Sequence, residues 1–105
     1  MSNISRQALS VIFITCISFL NAQVQIGSDI DGESANDLSG WSVSLSSDGS
    51  TMAIGGTGSN SARIYKNESG VWTQIGSDIV GEATNDGFGI SVSISTDGSV
   101  VAIGA

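Results

Sequence analysis

The sequence predicts an all-β protein built from four-stranded antiparallel blades of a β-propeller, with only about one and a half blades present. Three observations lead there. Gln25 to Gly56 (QIGSDIDGESANDLSGWSVSLSSDGSTMAIGG) and Gln74 to Ala105 (QIGSDIVGEATNDGFGISVSISTDGSVVAIGA) are identical at 21 of 32 positions, at a constant offset of 49. A fixed period of that length marks propeller blades, with a solenoid as the second choice. Each copy holds a strictly alternating apolar/hydroxyl stretch followed by an Asp-Gly turn. The chain of 105 residues has 14 Gly, no Pro and only 12% charged residues, which suits short strands and tight turns better than amphipathic helices.

The elements follow in order. Met1 to Gln7 is polar with one cation, Arg6, and Ala8 to Leu20 is an apolar run ending at Asn21-Ala22-Gln23. This is the layout of a signal peptide over residues 1–22, with cleavage after Ala22, and it places the protein outside the cell or at its surface. The run is too short for a permanent span, which needs roughly 20 apolar residues. Cys16, the only cysteine, allows a lipid-modified alternative, although Thr15 stands where a small residue is usual.

Residues 23–105 read as the partial propeller, opening on a fourth strand at 23–26. A full blade covers about 39–76. Trp41 to Ser46 alternates, Ser47-Asp48-Gly49-Ser50 turns, and Thr51 to Gly55 is apolar at successive positions, as in a strand covered on both faces. A loop from Gly56 to Ser61 leads to a third strand, Ala62 to Lys66; Asn67 to Gly70 turns into a fourth, Val71 to Ile75. A half blade at about 88–105 repeats the first two strands.

Phe88-Gly89 opening a strand, Ile103-Gly104-Ala105 closing the next, and Ala62-Arg-Ile-Tyr65 resemble the FG-GAP repeat of integrin-α-type β-propellers. The run Trp72-Thr-Gln-Ile-Gly-Ser-Asp-Ile79 with Ser-Val-Ser-Ile-Ser-Thr-Asp-Gly98 resembles more closely the FG-GAP-like repeats of secreted bacterial surface proteins. The resemblance covers nearly all of the chain after the signal and implies the propeller architecture rather than an activity. It does not carry over that family's calcium loop, because the connection between the first two strands is only the Asp-Gly turn; in the first copy, Leu38-Ser-Gly-Trp41 also replaces the FG element.

Composition excludes several functions. Three basic against ten acidic residues give a net charge of −7, which repels phosphate backbones and so disfavours nucleic acid as a partner. With no histidine and one cysteine, there is no His-based triad, imidazole metal site or intrachain disulfide. No enzymatic constellation is legible. The expected function is a noncatalytic extracellular repeat module for binding, adhesion or structure, part of a larger propeller protein, and the alternatives are the scaffold part of a secreted hydrolase or lyase whose catalytic residues lie elsewhere, or a truncated product without independent function.

Seven of the ten acids fall in two equivalent connections: Asp29, Asp31, Glu33 and Asp37 in one, Asp78, Glu82 and Asp86 in the other. A propeller would gather them on one face, as a rim for a basic partner or a divalent cation. Asp29, Asp31 and Glu33 have the closest spacing to a Ca2+ loop, yet Val80 replaces the counterpart of Asp31, and turn capping is the simpler reading. Trp41, Trp72, Tyr65 and Phe88 are expected to pack in the core. Asn67-Glu68-Ser69 matches a glycosylation acceptor. A partner is expected to be a protein or glycan at the cell surface, with further blades or an oligomer partner needed to close the fold.

Overall fold

The computed structural model describes residues 23–105, so the export segment, its cleavage point and Cys16 lie outside the described residues. The described chain is all-β, with no helix and every strand pair antiparallel. Strands β1 (Ser39–Leu45), β2 (Thr51–Gly56), β3 (Ser61–Glu68) and β4 (Val71–Gln74) form a meander in chain order. A short β5 (Ile79–Val80) joins the same sheet by pairing with β3, and β6 (Ser91–Ile94) with β7 (Val101–Gly104) forms a separate hairpin. Among the described residues, neither sheet closes on itself.

Residues 23–26, expected as a fourth strand, are not a strand. Their repeat equivalents at 72–75 lie along β3, where β4 pairs and Ile75 N donates to Ile64 O at 2.7 Å. They are held instead by the Trp72 indole, whose Nε1–H donates to the Ile26 carbonyl at 3.0 Å.

The two hairpin turns show how closely sequence identity becomes identical local structure. Asp48 Oδ1 accepts from Ser50 N (3.0 Å), Ser50 Oγ (2.7 Å) and Ser46 Oγ (2.8 Å). Asp97 Oδ1 accepts from Ser99 N, Ser99 Oγ and Ser95 Oγ at the same three distances. The serine that opens each turn then accepts from the backbone past it, Thr51 N to Ser46 Oγ at 3.1 Å and Val100 N to Ser95 Oγ at 3.0 Å. Gly49 and Gly98 adopt φ of 73° and 76°, a left-handed conformation that a side chain would strain.

Strand register sorts the larger sheet into two faces. Val43 pairs with Ile54 and Leu45 with Met52, and because side chains alternate, these four lie on one face. Ser42 pairs with Gly55 and Ser44 with Ala53, and β3 continues this second, small-residue face with Ala62 and Ile64. The β6–β7 hairpin rests there against β1 and β2. Ser42 Oγ donates to Gly89 O at 2.7 Å, Ile94 N donates to Ser44 Oγ at 3.1 Å, and Ser47 N and Oγ both donate to Thr96 O at 3.0 Å.

The buried core is correspondingly thin. Ala53 and Ala62 are fully enclosed and Ile54 nearly so, while β2 is covered on both sides as a doubly apolar strand should be. The aromatic residues correct the core-packing expectation. Trp72, Tyr65 and Phe88 are half-buried, and Trp41 is 59% exposed, because it shares the side of β1 that carries Val43 and Leu45, away from the stacked hairpin.

Candidate functional site

Two loops and two strand residues assemble the polar centre of the molecule. Arg63 sits mid-β3, opposite Ile54, with only 6% of its surface exposed. A cation sheltered that far must find anions. Between β4 and β5 the chain leaves strand geometry at 75–78 and returns to the same edge of β3, which swings Asp78 over the guanidinium. Arg63 Nε donates to Asp78 Oδ1 at 3.0 Å and Nη2 to Asp78 Oδ2 at 3.3 Å, a two-pronged grip, while Gln74 Nε2 donates to Asp78 Oδ1 at 2.7 Å. Glu33 reaches the same guanidinium from the other acidic connection, Oε2 to Nη2 at 3.2 Å. The Arg63 and Gln74 contacts hold the Asp78 carboxyl below the usual carboxylate range, and Asp78, chiefly by its hydrogen bond, raises Arg63 in turn.

Other predicted site residues are also taken up by local structure. Asp37 is buried and accepts from Ser34 N and Ser39 N at 3.2 Å each, which holds its carboxyl low. Asp29 accepts from the Gln25 amide at 2.8 Å. Asp86 caps Phe88 N at 3.1 Å, a bond that the Asn60 side-chain oxygen shares at the same distance. The cation candidates Asp29, Asp31 and Glu33 are not gathered: no group of three such ligands converges among the described residues, and Glu33 is turned to Arg63. Asn67 of the glycosylation triplet uses its side-chain oxygen to cap Gly70 N at 2.8 Å.

A groove of about 350 Å³ runs along the exposed apolar face, lined by Ile26, Ile30, Val43, Met52, Ile54 and Trp72. Its walls carry no pair of convergent titratable groups, the feature that separates a chemical site from an uncovered surface. Arg63 is the site residue that composition and loop position do not single out. Its signal is a cation set between two apolar residues at the start of the strand, Ala62-Arg-Ile, where Lys66 stands further along.

Comparison with protein-family models, with curated proteins and with solved structures found no match.

The turn carboxylates make the fold sensitive to acid. Three donors each, with Ser50 and Ser99 contributing most, bring Asp48 and Asp97 down to about 2 from an ordinary 3.8. A depressed folded-state value means that the contribution is complete above the unfolded pKa and lost as pH falls through the folded one. The thermal midpoint should therefore hold steady from neutral pH down to about 4 and fall between there and about 2. Melting followed by circular dichroism checks this, and the double variant Asp48→Asn, Asp97→Asn should lose part of the acid-induced fall. An unchanged slope in that variant would assign the acid sensitivity to other groups.

Proposed function

We propose that the chain is a noncatalytic extracellular repeat module, a run of propeller-type blades that serves binding or scaffolding. The observation that carries this reading is where the charge goes: Arg63, Glu33, Asp78, Asp37, Asp48 and Asp97 are all engaged in holding turns and loops, which leaves no polar constellation poised for chemistry among the described residues. The repeat, with hairpin stacked on sheet through hydroxyl contacts, supports blade architecture. The signal-like N-terminus supports export.

The binding surface in this reading is the loop side, where Asp31 and Glu82 are exposed and carry charge that Arg63 does not take up. A basic protein patch is the matching chemistry. In surface-plasmon measurements against a lysine-rich protein probe, Asp31→Asn with Glu82→Gln should weaken binding about three- to tenfold at low salt, with the stability of the fold unchanged. Binding that is indifferent to both substitutions and to salt would remove this surface from consideration.

A further inference from the structure

The two hairpins are equivalent in sequence but not in environment, and the difference is systematic. Ala53 is completely buried, whereas its equivalent Ala102 is exposed. Ser42 and Ser44 are half-buried under the second hairpin, whereas their equivalents Ser91 and Ser93 are exposed. On the opposite side the order reverses: Val92 and Ile94 are half-buried, and their equivalents Val43 and Leu45 are each 53% exposed. Gly89 is pressed against the adjoining ends of β2 and β3, so that a Cβ there would stand 2.7 Å from Ser61 O and 3.0 Å from Gly56 N; its equivalent Gly40, at nearly the same φ, faces open space.

Among the described residues there is one finished repeat-to-repeat joint, and both halves of a second one stand exposed. The open hydroxyl half is Ser91, Ser93, Ala102 and Gly104, at one end of the stack. The open apolar half is Val43, Leu45 and the Gly40 backbone, at the other end. Both retain the chemistry used in the internal joint.

We propose that these two faces dock on each other between copies of this chain, head to tail, by repeating the internal joint. Advancing the observed bonds by one repeat gives the contacts. Ser91 Oγ of one copy donates to Gly40 O of the next, as Ser42 Oγ does to Gly89 O. Leu45 N of the next copy donates to Ser93 Oγ, as Ile94 N does to Ser44 Oγ. Thr96 N and Oγ meet Ser47 O, as Ser47 does Thr96 O. The contact is heterologous, so association proceeds to a ring where the rotation per copy closes and to a filament where it does not. The inference deepens the repeat-module reading and rests on its blade stacking, but not on any loop-side ligand.

The test uses the full chain, expressed for export and purified as recovered, with sedimentation velocity up to on the order of 100 μM. Concentration-dependent association is expected. Ala102→Lys, on the hydroxyl face, and Leu45→Lys, on the apolar face, both alter side chains exposed in the single chain, and each should weaken self-association at least about tenfold with an unchanged far-UV spectrum. An equimolar mixture of the two should form a dimer and nothing larger, since each variant keeps the half that the other lacks. If Leu45→Lys fails to fold, Val43→Lys takes its place in the same mixing experiment. A wild type that stays monomeric throughout the range, single variants that associate like the wild type, or a mixture that does not dimerise would each overturn the proposal. Loop-side binding is read separately, so the loss of one leaves the other standing.

Discussion

Gly55→Ala is expected to destabilise the protein by about 2–3 kcal/mol, the upper part of the range for overpacking a closed interface. The methyl would run into the Gly89 carbonyl and, at 2.5 Å, into Ser42 Oγ. One obstacle is backbone, fixed by the turn that precedes β6; the other is the hydroxyl whose 2.7 Å bond to Gly89 joins the hairpins. Relief therefore requires either prying the hairpin from the sheet or giving up that bond, itself worth about 1 kcal/mol. The comparison that isolates the effect is Gly104→Ala at the equivalent position, where the methyl meets only the Ser91 side chain of its own hairpin and a rotation of that hydroxyl clears it. In dilute solution, urea unfolding should place Gly104→Ala within about 0.5 kcal/mol of the wild type, as for a surface change. Equal losses at the two glycines would mean that the stacking of the hairpins contributes little to stability.

The same pair of glycines shows how far the sequence could be read. Gln25 to Gly56 and Gln74 to Ala105 announce that positions 55 and 104 are equivalent, and strand alternation says which side each residue lies on. That level of description located the strands of the meander to within about two residues, and it placed both Asp-Gly turns. What periodicity cannot supply is which face meets a neighbour. Trp41 has the pattern of a core residue and stands in solvent, because its burial depends on a second sheet against that face rather than on its own strand. The acidic connections are legible only in part, for a related reason. Counting carboxylates by loop suggested a rim of free charge, whereas Glu33 and Asp78 are 45 positions apart and share one guanidinium, a convergence visible only when β3 lies between the two loops. β5 was likewise illegible, since two residues carry no period; it exists because β3 offers an open edge beyond the end of β4.

That convergence on Arg63 makes Asp78→Ala the second large loss. Removing the carboxylate leaves the guanidinium, at 8% side-chain exposure, with one remaining carboxylate, Glu33, whose own side chain is 65% exposed and largely hydrated. Stranding a buried charge can cost 3–5 kcal/mol, but Asp78 is itself 28% exposed and the shelter is only one layer of loop, so the expected loss is about 1–3 kcal/mol. Glu33→Gln, breaking an exposed contact, should cost no more than about 0.5 kcal/mol. The decisive variant is Arg63→Met in the Asp78→Ala background: it removes the orphaned charge and places an apolar side chain beside Ile54 and the Tyr65 strand, so part of the lost stability should return. The sign with pH follows from the depressed Asp78 value, which confines this pair's contribution to pH above the folded-state pKa and removes it in acid. The wild type and Asp78→Ala should therefore differ most near neutrality and converge as the pH falls below the ordinary carboxylate value of 3.8, as measured by urea midpoints across that range. If Arg63→Met deepens the loss instead, the guanidinium stabilises the loops by contacts beyond Asp78, and the ion pair is not what holds 75–78 against β3.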